Sequence, residues 1–96
     1  MAIRVGVTEK AFQAHIVKYA RNRGWFVYHT YDSRKCEPGF PDLVLVRDNV
    51  LFRELKSEKG RVTPTQKAWG DALTGAGADF AVWKPSMIRE IYKELR

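Results

Sequence analysis

The chain has 96 residues, 45% of them hydrophobic, and it carries a formal net charge of +6. This length accommodates one domain, and three Trp, four Tyr and five Phe supply side chains for a hydrophobic core. The single cysteine, Cys36, excludes an intramolecular disulfide and is typical of a reducing compartment. Because we find neither a signal peptide nor an apolar run of roughly 20 residues, we predict a soluble intracellular protein without a membrane helix. The positive charge favours a nucleic acid partner, although a merely soluble basic protein would carry it too.

A first helix is predicted from about Glu9 to Asn22, with Thr8 as its N-cap. Its apolar residues recur with the spacing of a core-facing stripe, at Phe12, Ile16, Val17 and Ala20. Glu9 shares this inward face, because it lies three residues before Phe12 and seven before Ile16. An aromatic and β-branched strand follows over residues 25–30, and a polar loop covers residues 31–41.

The next two strands form an apolar hairpin, at about residues 42–47 and 50–56. A turn of two residues would place Asp42 and Glu54 on opposite faces of the sheet. A turn of three residues instead pairs Val46 with Val50 and Asp42 with Glu54, and Asn49 suits the left-handed position that such turns require. We predict the three-residue turn, because it gathers on one face the polar side chains that are unfavourable to bury.

A second helix is predicted from Pro64 to about Thr74, with Thr63 as its N-cap and Gln66 completing a capping box. Its core stripe is predicted at Trp69, Ala72, Leu73 and Ala76. A strand over residues 79–84 follows, and a final helix begins at Pro85 and buries Met87, Ile88, Ile91, Tyr92 and Leu95. The element order is α-β-β-β-α-β-α. Because both faces of the hairpin are apolar, we predict a small mixed α/β sandwich with helices on both faces of the sheet.

Two acids and a lysine interrupt the apolar hairpin and predict a metal site. In the predicted register the Cβ atoms of Asp42 and Glu54 lie about 5 Å apart. A divalent cation between the two carboxylates would relieve their repulsion, with the backbone carbonyl of Leu55 as a further ligand. Lys56 lies two residues beyond Glu54 on the same face, where its ammonium would orient the attacking water or stabilise charge during phosphodiester hydrolysis. The alternative is that Glu54 and Lys56 are surface residues at the end of a strand.

Other polar residues have two interpretations each. Glu9 would bind the metal through water, or would serve only as a favourable charge at a helix N-terminus. His29 would either contact the scissile phosphate or be a half-buried structural histidine, and we predict the structural role. His15 has no partner at metal spacing and is predicted to be exposed. Cations on two sides of the expected site are predicted phosphate contacts, although any loop of a basic protein collects such charges; they are Arg34, Lys35, Lys59 and Arg61.

From Glu9 to Pro85, the amino-acid sequence of the chain resembles the VRR-Nuc family of the PD-(D/E)xK nuclease superfamily. The matching stretches are Thr8-Glu9, Arg23-Gly24-Trp25, Gly39-Phe40-Pro41-Asp42-Leu43-Val44-Leu45, Glu54-Leu55-Lys56, Gly60-Arg61-Val62-Thr63-Pro64-Thr65-Gln66, Ala76-Gly77-Ala78 and Val82-Trp83-Lys84-Pro85. The combination is long and specific.

The resemblance implies one VRR-Nuc-like domain over residues 1–96, with a restriction-endonuclease-like αβββαβ core and dependence on Mg²⁺ or Mn²⁺. By position, the metal-binding acids would be Glu9, Asp42 and Glu54, and Lys56 would be the catalytic lysine. Gln66 matches a glutamine near the family's catalytic site, although its capping role explains it equally well.

Stand-alone members of this family look like phage and bacterial proteins that dimerise and cut branched DNA. We therefore expect a homodimer that resolves four-way DNA (Holliday) junctions in the cytoplasm of a bacterial or phage-infected cell. The alternatives are a monomeric nuclease that cuts nicks or flaps, and a non-catalytic DNA-binding module on a nuclease-like fold.

Overall fold

The structure is a computed structural model, and it describes residues 3–30 and 35–96. The helices and strands follow the predicted order: α1 (Glu9–Asn22), β1 (Phe26–His29), β2 (Leu43–Val46), β3 (Val50–Leu55), α2 (Pro64–Gly75), β4 (Asp79–Trp83) and α3 (Ile88–Leu95), the last preceded by a 3-10 turn (Pro85–Met87). None of the helices within these two ranges is long and apolar enough to cross a bilayer.

The four strands form one mixed sheet in the order β1-β2-β3-β4. β2 pairs antiparallel with both β1 and β3, whereas β3 and β4 are parallel. Parallel neighbours need a crossover connection, and α2 supplies it. The mixed α/β fold predicted from the sequence is therefore confirmed.

The β2–β3 hairpin has the predicted register. Val46 pairs with Val50 and Leu43 pairs with Arg53, so continuing the ladder places Asp42 opposite Glu54. The expectation of a left-handed Asn49 was wrong, because only glycines have positive φ angles in the described residues. A hydrogen bond from the Arg47 amide to the Asn49 carbonyl, at 3.1 Å, closes the turn without that conformation.

The hydrophobic core lies between the sheet and the two helices α1 and α3. Thr8 caps α1 as predicted, since its side chain accepts a hydrogen bond from the Ala11 amide. The fully buried side chains are those of Phe12, Ile16 and Ala20 on α1, Leu43, Leu45 and Leu55 on the sheet, and Ile91 and Leu95 on α3. Each large aliphatic or aromatic side chain contributes roughly 1.5–3 kcal/mol by leaving water, so this face holds most of the stabilising burial.

The opposite face of the sheet is covered only in part, by α2. The predicted stripe on this helix was wrong for Ala72 and Ala76, which are exposed. The buried residue of the helix is Gly70, where an added Cβ would lie 2.5 Å from the ring of Phe80 on β4. This close approach turns the Gly70 side of α2 toward the sheet, so positions about 200° away around the helix face solvent.

Four apolar side chains on this face of the sheet are not covered by α2 and remain exposed. Phe26 on β1, Val46 on β2 and Val50 on β3 are cross-strand neighbours on one face, and Tyr28 lies two residues beyond Phe26 on the same face. Phe26 is 77% exposed and Tyr28 is 59% exposed. We call these four residues the exposed sheet face.

One cation of the hairpin is buried on the face opposite Asp42 and Glu54, where the predicted register places it. Arg53 is 1% exposed and lies on the core side of β3. It donates to the carbonyls of Phe52 and Asp79 and forms ion pairs with the carboxylates of Asp79, at 3.0 Å, and Glu94. These partners come from distant parts of the chain, and they satisfy a charge that the strand pattern alone makes unfavourable.

Candidate active site

Three elements bring three carboxylates to one end of the sheet. Glu9 is the first residue of α1, Asp42 directly precedes β2, and Glu54 lies near the end of β3. One ligand oxygen from each of the three side chains lies within 4.8 Å of those of the other two. The structure thus brings together the three acids that the sequence singled out.

Asp42 is held in place by the neighbouring strand. Its Oδ2 accepts a hydrogen bond from the backbone amide of Leu55 at 2.8 Å. This bond orients the carboxylate across the hairpin, and a carboxylate has further lone pairs for other ligands. The backbone of Leu55 therefore contributes to the site through its amide, and the role of its carbonyl as a metal ligand stays a prediction.

Glu54 is the most deeply buried of the three acids. The residue is 1% exposed, and within the described part of the chain neither carboxylate oxygen has a hydrogen-bond partner. Burial, followed by the negative charge of Asp42, raises the pKa of Glu54 to about 8. A buried ionised carboxylate without hydrogen bonds is strongly unfavourable, so this site has the chemistry that a cation would stabilise.

Glu9 completes the cluster from the helix side and remains open to solvent. Loss of hydration, followed by the negative charge of Asp42, raises its pKa, and the charge of Lys56 acts in the opposite direction. The negative charge of Asp42 thus raises the pKa of both Glu9 and Glu54, and such a cluster of carboxylates is typical of a site for a hard divalent cation, which takes oxygen ligands.

Lys56 lies directly after β3, on the Glu54 side of the strand. Its backbone amide donates to the Trp83 carbonyl at 3.0 Å, so the residue is anchored to the parallel neighbour β4. Its side chain is 11% exposed, and its Nζ lies 3.7 Å from Oε2 of Glu54. The ammonium therefore sits beside the buried carboxylate without forming a normal hydrogen bond to it.

A cavity of about 580 Å³ opens over Glu9 and Asp42, and Gln66 lines it as well. The capping role of Gln66 is confirmed, because its Oε1 accepts the Thr63 amide at 2.9 Å in a complete capping box, and its role in catalysis stays a prediction. Gly39 explains why the start of α2 lies here. An added Cβ at Gly39 would come 2.6 Å from the Thr65 carbonyl, so only glycine lets the loop before Asp42 pack on α2.

The predicted phosphate contacts within the described residues are not part of the cavity wall. Lys35, Lys59 and Arg61 are exposed, and none of them lines the cavity over the acids. Arg34 lies outside the described residues. Their assignment to DNA stays a prediction.

Several residues that line the cavity were missed or left aside in the sequence. Lys10 and Gln13 contribute to its wall, and Gln13 lies one helical turn after Glu9, a spacing that would have identified it. His29 is half-buried, as predicted, and lines the same cavity. The expectation of an exposed His15 was wrong, since it is half-buried and its Nε2 hydrogen-bonds the Tyr92 hydroxyl at 2.7 Å.

Solved structures share this fold, and two of them are similar over nearly the whole chain. A protein described as a VRR_NUC domain protein is 21% identical, with a TM-score of 0.73 over 95% of this chain and 92% of its own. A second, described as a VRR_NUC domain, is 23% identical, with a TM-score of 0.63 over 91% of this chain and 97% of its own. At such identities the likeness shows the fold alone.

The sequence comparisons agree with this likeness. No curated protein matches the chain in sequence. The family model for the VRR-NUC domain matches residues 3–87, which is most of the chain. This domain has a nuclease-like fold, and DNA is the substrate that such a fold suggests. The chain therefore belongs to the VRR-NUC domain family.

Proposed function

We propose that the protein is a Mg²⁺- or Mn²⁺-dependent DNA endonuclease that hydrolyses phosphodiester bonds at the Glu9–Asp42–Glu54 cluster. The observation that carries this proposal is the buried carboxylate of Glu54, which has no hydrogen-bond partner in the described residues and lies among two further acids. A cation held by the three carboxylates and the Leu55 carbonyl would offset the charge of the site. When bound, it supplies a Lewis acid that polarises the phosphate and lowers the pKa of a coordinated water.

The side chains of the site have separate tasks in this mechanism. Asp42, oriented by the Leu55 amide, offers a ligand oxygen in a fixed direction. Lys56 carries its positive charge next to the cluster, where it stabilises negative charge that develops on the phosphate during attack by water. Gln66 lines the cavity and provides amide hydrogen-bonding groups for a phosphate or a water.

The proposed substrate is branched DNA, with the four-way junction as the preferred form. The net charge of +6 favours a polyanion, and the exposed cations Lys35, Lys59 and Arg61, together with Arg34, are proposed contacts to its phosphates. Each chain has one acidic cluster among its described residues, so paired cuts in two strands call for two copies related by a twofold axis.

The exposed sheet face supports a homodimer. Since Phe or Tyr presents about 150–250 Å², the exposed fractions of Phe26, Tyr28, Val46 and Val50 amount to roughly 400 Å² of apolar surface. A standard interface buries about 800 Å² per partner, roughly 56–65% of it apolar, so this face supplies most of the apolar area that a dimer needs. We therefore propose that a second copy packs on it.

The decisive experiment compares a labelled four-way junction with matched linear duplex, in Mg²⁺, in Mn²⁺ and in EDTA. We expect paired cuts at the branch that require metal. Asp42→Asn should abolish them, and Asp48→Asn, an exposed aspartate in the hairpin turn, should cut like the wild type. Cleavage of linear or flapped DNA only would remove the junction specificity. Tight binding without cleavage in either metal would leave a DNA-binding module.

The dimer has its own test in sedimentation velocity. Phe26→Glu places a charge on the most exposed residue of the exposed sheet face and should shift the protein to a monomer that nicks junctions without paired cuts. A wild-type protein that sediments as a monomer at the concentrations of the cleavage assay would contradict the proposed dimer.

A further inference from the structure

A second cavity lies next to the one over the acidic cluster. It has a volume of about 540 Å³ and runs along α1 beside β1, the edge strand of the sheet. Lys10, Gln13 and His29 line both cavities, so the two spaces lie side by side along α1. We call the combined space the α1 groove; one end holds Glu9 and Asp42, and the other end reaches Arg21 and Asn22.

The charges of the groove change along its length. Its acidic side chains, which include Glu37, lie at the end of the groove that covers Glu9 and Asp42. The second cavity has no acid in its wall within the described residues, and its charged residues are Lys10, Lys18 and Arg21. A groove that begins at a metal site and continues between cations fits a polyanion that enters the site.

The cations also have suitable positions for contacts to phosphate. Lys10 and Lys18 are exposed, and neither forms an ion pair with an acid of the described residues. Arg21 donates one hydrogen bond to the Val27 carbonyl, at 3.4 Å, and this bond holds the guanidinium against the edge strand. An arginine has five N–H donors, so others serve a ligand. Gln13 and Asn22 add neutral amide donors, which commonly contact phosphate oxygens.

We propose that the α1 groove binds the sugar–phosphate backbone of the DNA strand that leads away from the scissile phosphate. This inference rests on the proposed nuclease function, and it identifies a binding surface other than the loop cations Lys35, Lys59 and Arg61. The span from Lys10 to Arg21 corresponds to about 16 Å at a rise of ~1.5 Å per residue. Phosphates of one stacked strand repeat every ~3.4 Å along the axis, so the groove accommodates about four or five of them.

The test measures DNA affinity as a function of salt concentration, in EDTA, by fluorescence anisotropy of a labelled junction. The groove variant is Lys10→Gln/Lys18→Gln/Arg21→Gln. Each lost phosphate contact lowers the slope of log K against log salt by about 0.7–0.9. We therefore expect the loss of affinity between about 50 and about 200 mM salt to become roughly 20- to 40-fold smaller than for the wild type.

The matched control removes the same charge elsewhere. Lys67→Gln/Arg89→Gln/Lys93→Gln neutralises three exposed cations on α2 and α3 that line neither cavity. It should keep the wild-type slope. An equal loss of slope in both variants would show binding through net charge alone, and an unchanged slope in the groove variant would show that DNA bypasses the groove. Either result overturns the proposal. Cleavage by the wild type in Mn²⁺ is scored separately, so a failure of the nuclease function is distinguished from a failure of the groove.

Discussion

Replacing Glu54 with glutamine should make the metal-free protein more stable at neutral and alkaline pH. The wild-type carboxylate is 1% exposed and without a hydrogen-bond partner in the described residues, so its ionisation is unfavourable in the folded state. Burial, with the added charge of Asp42, raises its pKa from 4.5 to about 8. The folded protein therefore holds a proton that the unfolded chain releases. This contribution to stability is fully present below about pH 4.5 and is lost as the pH rises through about 8.

The magnitude follows from the two pKa values. A pKa unit corresponds to ~1.36 kcal/mol, so full ionisation of Glu54 in the metal-free fold lowers the free energy of unfolding by about 5 kcal/mol. Between about pH 5 and about pH 8 the wild type should lose about 3 kcal/mol through this group. Glutamine has nearly the same shape and does not titrate, so Glu54→Gln should not show this loss.

Urea denaturation in EDTA at about pH 5 and about pH 8 measures the effect as the difference between the two proteins. Glu37→Gln, which removes an exposed carboxylate at the rim of the same cavity, should retain the wild-type pH dependence. Addition of Mn²⁺ at about pH 8 should stabilise the wild type, by about 2.7 kcal/mol at a hundred times the Kd, and should leave Glu54→Gln unchanged. Parallel pH profiles of the wild type and Glu54→Gln in EDTA would refute the reasoning, because Glu54 would then ionise without penalty.

Two further substitutions test the fold around the site. Gly70→Ala should destabilise the protein by about 1–3 kcal/mol, since the new Cβ would lie 2.5 Å from the ring of Phe80; Gly75→Ala, at the end of the same helix with open space around it, should be neutral or stabilising by up to about 1 kcal/mol. Equal effects in thermal unfolding would contradict the close packing of α2 on the sheet. Arg53→Ala should lower the free energy of unfolding by about 2–4 kcal/mol, because it removes a fully buried side chain and leaves a cavity, whereas the Asp79 and Glu94 carboxylates are exposed enough to be hydrated; a loss below about 1 kcal/mol in urea would contradict this reasoning.

Local patterns allowed much of the fold to be predicted. The cap at Thr8 and the capping box of Thr63 and Gln66 depend on residues three apart, and both are present in the structure. The hairpin register followed from alternation with a period of two, which puts Asp42 opposite Glu54 once the turn has an odd length. These features depend on neighbours in sequence or on a single pair of strands, so sequence spacing is sufficient to define them.

The wrong predictions share a different cause. Ala72 and Ala76 have helical core spacing, yet α2 is turned by the contact between Gly70 and Phe80, ten residues later in the chain. The ion pairs of Arg53 were not predicted for the same reason, because one of its partners is the distant Glu94. Such contacts join residues that are far apart in the sequence, so the spacing of apolar residues does not predict them. A cation in a strand is therefore expected to be exposed unless its ion-pair partner is known.

For this protein, the sequence by itself determined the order of helices and strands, the pairing of Asp42 with Glu54 and the family, because these depend on residue spacing and on short sequence motifs. Only the tertiary structure brought Glu9 to the hairpin acids, left Glu54 without a hydrogen-bond partner in the described residues and placed a basic cavity along α1 next to the cavity over the acids. The physical reason is that burial and electrostatic coupling depend on how α1 packs across the sheet, and that packing is a property of the whole core.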